Sequence, residues 1–138
     1  MKKQTWSIFV LVGALLASAA SLGQTNRGEL TASIPFSFIV GNNTLPAGRY
    51  TISPVSDVIL RIDSASHQSA FTLTGKVHGK APESSGRMVF HRYGDVYFLT
   101  EVWVAANSTG RKIFESRAEK EAAGRATGKE IAVLRIVQ

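Results

Sequence analysis

The stretch Arg87-Met88-Val89-Phe90-His91-Arg92-Tyr93-Gly94-Asp95-Val96-Tyr97-Phe98-Leu99-Thr100-Glu101-Val102-Trp103-Val104-Ala105 decides the fold. Two runs rich in aromatic and branched residues, Met88 to Tyr93 and Val96 to Val104, flank Gly94 and Asp95, which suit a tight hairpin turn with positive backbone dihedrals. With a two-residue loop, Tyr93 opposes Val96, Arg92 opposes Tyr97, His91 opposes Phe98, Phe90 opposes Leu99 and Met88 opposes Glu101. One face then carries Val89, His91, Tyr93, Val96, Phe98, Thr100, Val102 and Val104. The other carries Met88, Phe90, Arg92, Tyr97, Leu99, Glu101 and Trp103. A sheet wetted on one side alternates more cleanly than this. The hairpin is therefore expected to be covered on both faces or to line a ligand cavity. His91, Tyr93, Tyr97 and Trp103 are its candidate ligand or surface contacts, and Trp103 is expected in the core.

The same period of two recurs upstream. Leu30, Ala32, Ile34, Phe36, Phe38 and Val40 alternate with Thr31, Ser33, Pro35 and Ser37, which reads as one half-buried strand. Pro35 lacks an amide donor and places that strand at an edge or marks a bulge. Gly41 to Asn43 and Pro46 to Gly48 are turn sequences, and Arg49 to Ser53 returns as a strand. Val58 to Asp63 forms another, with Val58, Leu60 and Ile62 on one face, followed by a polar turn from Ser64 to Gln68. Phe71, Leu73 and Val77 alternate with Thr72, Thr74, Lys76 and His78 in a further strand, where Gly75 suits a bulge. Gly79 to Gly86, with Pro82 and two serines, is the clearest internal loop and the segment expected to be mobile, too short to divide domains.

Downstream, Asn107 to Arg111 reads as a polar loop. Ser116 and Glu119 have the spacing of a capping box, which predicts a short helix from Arg117 to Ala123 with Gly124 as its stop. Its apolar face is only Ala118 and Ala122, so helix propensity alone does not hold it in place. Lys129 to Val137 closes the chain as a strand with two apolar faces, which predicts a central position in the sheet.

The beginning of the chain is a targeting signal by its order of charge and polarity. Lys2 and Lys3 precede the apolar run Trp6 to Leu16 and the small residues Ala17 to Gly23. Residues 1–23 are expected to be a signal peptide cut between positions 19 and 24, and residues 24–138 a single β-rich domain that is periplasmic or extracellular. The competing reading is an uncleaved anchor from Gln4 to Asn26. Loss of Lys2 and Lys3 reduces 16 basic residues to 14 against 10 acidic ones, so +6 becomes +4. The remaining cations are scattered, without the stripe or reading motif of a nucleic-acid protein. They suit weak attraction to anionic envelope lipid or polysaccharide.

The chain has no cysteine, which excludes disulfides, thiolate metal sites, a cysteine nucleophile and lipid attachment through cysteine. His67, His78 and His91 lack the spacing of a zinc helix. No serine sits in a nucleophile elbow, and Asp57, Asp63, Glu83, Asp95 and Glu101 show no paired spacing for glycoside hydrolysis. Neither an enzyme nor a cofactor is expected. The two Asn-x-Thr acceptor patterns, at Asn42 and Asn107, read as turn residues.

Ile34-Pro35-Phe36-Ser37-Phe38-Ile39-Val40-Gly41, with Leu45-Pro46-Ala47-Gly48-Arg49-Tyr50-Thr51-Ile52, resembles the opening of a family of short exported β-rich proteins of unknown function from soil bacteria. Phe90-His91-Arg92-Tyr93-Gly94 with Tyr97-Phe98-Leu99 and Val102-Trp103 is similar to their central hairpin, and Ser116 with Ala118-Glu119 to their helix start. The resemblance implies export and one β-rich domain, with no catalytic residues to carry over. The expectation is a mainly β fold, an antiparallel β-sandwich or small barrel with one short helix in its C-terminal half. Its expected function is that of a noncatalytic envelope or extracellular binding or structural module. The alternatives are a barrel-like carrier of an apolar small molecule and, last, a hydrolase.

Overall fold

A computed structural model describes residues 29–79 and 84–136. The expected signal segment and the middle of the Gly79 to Gly86 loop lie outside the described residues. The elements run β1 (Leu30–Ile34), β2 (Phe38–Val40), β3 (Asn43–Leu45), β4 (Gly48–Pro54), β5 (Ile59–Ser64), β6 (Ser69–His78), β7 (Gly86–Tyr93), β8 (Val96–Trp103), β9 (Thr109–Ile113), α1 (Arg117–Arg125) and β10 (Glu130–Ile136). The fold is mainly β with one helix, as the periodicity predicts.

The strands form a single mixed sheet in the order β1-β4-β5-β6-β9-β8, with β7 and then β10 continuing beyond β8, and the short β2-β3 pair also joined to β8. Every pairing is antiparallel except that of β2 with β8, where Ile39 stands opposite Phe98. The long β6 turns the sheet through a corner. Its first half, Ser69 to Leu73, pairs with β5, and its second half, Thr74 to His78, pairs with β9. The sheet curls until β1 and β10 come into contact, enclosing one core.

Leu30, Ile34, Phe38, Tyr50, Ile52, Leu60, Ile62, Met88 and Phe90 form the centre of that core, each at most 2 % exposed. Full burial of each such side chain contributes about 1.5–3 kcal/mol. The rings interlock edge to face: Phe38 meets Tyr50 at 5.2 Å and Phe90 at 5.8 Å, and Phe90 meets Phe36 at 5.0 Å. Edge-to-face contact sets the positive rim of one ring against the negative face of the next.

Several local readings change. The single strand expected from Leu30 to Val40 is two, because Pro35 ends β1, whose ladder partner is β4. The hairpin pairs as predicted from Tyr93–Val96 to Phe90–Leu99. A bulge at Thr100 then slides Met88 onto Val102 instead of Glu101. The Thr100 hydroxyl donates to the Val89 carbonyl at 3.0 Å. That extra residue exchanges the faces beyond it, so Val102 joins Met88 inside while Glu101 and Trp103 point outward. At the turn Gly94 alone has positive φ, +61°, the pattern of a type II′ turn; Asp95 does not share it.

Part of the expected loop Asn107 to Arg111 is strand β9, paired on both sides by β6 and β8. Val58 lies just outside β5 and is exposed. The closing strand β10 pairs with β7 and is not central, since Ile131 and Val133 are exposed. The helix continues through Gly124 to Arg125. No helix among the described residues is long and apolar enough to cross a membrane.

Candidate functional site

The outer face of the β7–β8 hairpin is covered where α1 lies on it, and an acid makes that contact. Ser116 caps α1 by accepting from the Glu119 amide at 3.1 Å, one half of the expected capping box. The Glu119 side chain is buried against the hairpin instead of exposed on the helix end. Its Oε1 lies 2.7 Å from His91 Nδ1 and accepts from the Tyr93 hydroxyl at 3.1 Å. A buried carboxylate is costly unless its lone pairs are satisfied, and here two side chains from β7 satisfy it. Burial first, then the adjacent Glu119 carboxylate and the hydrogen bond to it, push the Tyr93 phenol up to about 12. Its proton is therefore retained, and the hydroxyl remains a donor.

The four candidate contacts do not form one site. His91 and Tyr93 meet at Glu119. Tyr97 lies on the inner side, stacked on Phe36 with centroids 3.8 Å apart and with the Arg92 guanidinium 5.5 Å from its ring. Trp103 is buried but outside the core cluster. Its indole lies over Gly110, where a Cβ would come within 2.5 Å of the ring. The Arg87 guanidinium stands 4.5 Å from the ring centre, and the indole N–H donates to Glu101 Oε2 at 2.9 Å. Trp103 is thus buried as expected, although it closes over β9 beside the main core cluster and not within it.

A second feature lies on the outer face of β6. Along β6 the small and polar Ala70, Thr72 and Thr74 face inward, while Phe71 and Leu73 face outward, 57 % and 60 % exposed. The next outward position is Gly75, and the Phe114 ring lies 3.4 Å from where its Cβ would stand. Phe71, Leu73 and Phe114 therefore form an apolar row on the outside of the sheet. Arg61 stands opposite Phe71 and Lys112 opposite Gly75. The one hint of this in the sequence is that threonines fill the alternate positions.

Among the described residues no group of three or more histidine or acidic side chains is placed to hold a metal ion. Compared with protein-family models, curated proteins and solved structures, the chain has no match.

Proposed function

We propose that this chain is a noncatalytic exported binding module, periplasmic or extracellular, whose working surface is the outer face of β5, β6 and β9 and whose partner is anionic lipid of the cell envelope. The observation that carries this reading is the exposed row Phe71, Leu73 and Phe114. Contiguous exposed apolar side chains rimmed by polar ones mark interaction surfaces. Aliphatic and aromatic groups enter the boundary between lipid headgroups and acyl chains, and nearby cations add attraction to anionic headgroups. Lys112 stands on this face, as does Arg61 in an ion pair with Asp63 at 2.8 Å, and the net charge of +4 left after signal removal acts in the same direction.

Export is supported by the order of Lys2 and Lys3, apolar run and small residues, and by the resemblance to short exported proteins. The noncatalytic reading is supported by the cluster around Glu119, where His91 and Tyr93 are committed to one carboxylate oxygen that fastens α1. The inner face of the hairpin packs against the core rings of Phe36 and Phe38, which favours a surface partner over an apolar molecule enclosed at the hairpin.

Sedimentation of the mature protein with phosphatidylglycerol vesicles, phosphatidylcholine vesicles and insoluble cell-wall polysaccharide tests the proposal. Retention by phosphatidylglycerol, weakened by salt and lost in the double variant Phe71→Ser with Leu73→Ser, is expected. Equal retention by both lipids, or retention by the polysaccharide alone, overturns it.

A further inference from the structure

We infer that the mouth of the curled sheet, where β5, β6, β8 and β9 meet, is a binding site for a small amphiphilic carboxylate. A cleft of about 290 Å³ opens there, at the small end of the range for ligand sites. Leu60 and Val102, both core residues, line it, and Lys76 and Arg111 stand on its wall. An apolar floor with cations above it matches a molecule with a short hydrocarbon body and one anionic head.

The placement of the two cations is the stronger part of the argument. Lys76 and Arg111 are direct partners in the β6–β9 ladder, and like charges directly opposite one another destabilise a sheet. An anion between them removes that repulsion. Arg111 is also held in position: its Nη1 donates to the Asp57 carbonyl at 2.8 Å and to the Thr74 hydroxyl at 3.3 Å. Thr74 is 1 % exposed. One edge of the guanidinium is thereby anchored, and the rest of its planar fork has no protein acceptor among the described residues. Such a fork matches the two oxygens of a carboxylate.

The acid facing this pair is Asp57, on the turn between β4 and β5. Its carboxylate reaches Lys76 at 3.9 Å and its side chain is 86 % exposed. That loose contact makes Asp57 a weak internal competitor for the head group, displaced when a ligand enters. The cleft opens on the inside of the sheet, so this site does not depend on the lipid-binding role of the outer face.

Titration of the mature protein with octanoate, octylammonium and acetate, followed by backbone amide NMR, tests the inference. Octanoate is expected to shift Lys76, Arg111 and Val102 saturably, with octylammonium and acetate weaker by about tenfold, the scale of one charge-assisted contact. Lys76→Gln and Arg111→Gln should each weaken octanoate by a similar factor. Asp57→Asn should tighten it several-fold. Lys76 and Asp57 are exposed, so their variants report binding even if Arg111→Gln fails to fold. Octylammonium binding as well as octanoate, weaker octanoate binding in Asp57→Asn, or shifts confined to Phe71 and Leu73 would overturn the assignment.

Discussion

The β7–β8 hairpin and the β5–β6 pair both alternate on a period of two, yet they treat their outer faces in opposite ways. On β7 and β8 both faces are used: Met88, Phe90, Leu99 and Val102 enter the core, while Tyr93 and Phe98 are buried on the outside, beside the contact with α1. On β6 the outward residues are the larger apolar ones, and they remain bare. Period alone assigns side chains to two faces; it does not say which face is inside. What decides is volume. Away from the cleft at its mouth, the space enclosed by the sheet is filled by Phe38, Tyr50, Phe90 and the aliphatic residues around them, and β6 contributes the small Ala70 and Thr74 to it. Interiors pack to a fixed density, so a strand facing a crowded core presents its smaller side.

Truncation should separate the two regions most sharply. Phe90→Ala is expected to cost about 3–5 kcal/mol, as for other buried rings, whereas Phe71→Ala should change stability by no more than about 0.5 kcal/mol. Chemical denaturation of both variants checks this, and similar losses would mean that the outer face of β6 is covered after all.

The covered face should depend on one carboxylate. Glu119→Ala leaves the Tyr93 hydroxyl and His91 without their shared acceptor and is expected to cost about 1–3 kcal/mol, with faster hydrogen exchange confined to α1 and the hairpin. The hairpin turn adds a smaller requirement. Nothing lies within 4 Å of a Cβ at Gly94, so Gly94→Val meets only the penalty of a positive φ, about 1–2 kcal/mol. An unchanged melting temperature would contradict the turn geometry.

A further effect lies at high pH. An unfolded tyrosine loses its proton near 10, but Tyr93 in the fold holds it to about 12. Between those values the folded state binds more protons than the unfolded state, so stability must fall as pH rises. The Tyr93 contribution is fully present below pH 10 and is lost through pH 12. Near-ultraviolet titration should find Tyr93 ionising later than the exposed-phenol range, and Tyr93→Phe should flatten the alkaline decline.

Much of the fold was legible in the sequence, for reasons that particular residues make clear. Gly94 between two aromatic runs specified the hairpin and four of its pairs, from Tyr93–Val96 to Phe90–Leu99. It did not reveal the bulge at Thr100, because an extra backbone residue leaves the composition of a strand unchanged. Ser116 marked the start of α1 correctly. Glu119 at the third helical position has the spacing of the second half of the cap, yet the same spacing serves an acid that turns away from the helix toward His91 and Tyr93. Strand β9 was missed because Gly110, Arg111 and Lys112 carry little strand preference of their own. Gly110 is there because Trp103 lies on it, a contact between strands that no local pattern records. Of the candidate contacts, His91 and Tyr93 share a face in the two-residue-loop register, but nothing in the sequence ties them to Glu119. The row Phe71, Leu73 and Phe114 was not legible, since its last member reaches the others only by lying over Gly75.

The most direct test of a covered hairpin set against a bare working face is side-chain NMR of the mature protein with phosphatidylglycerol vesicles carrying a spin label in the acyl chains. Broadening should be greatest at Phe71, Leu73 and Phe114, weaker at the exposed Ile131 and Val133 of β10, and absent from Tyr93 and Phe98. Broadening centred on β10 or α1, or spread evenly over the surface, would contradict the account.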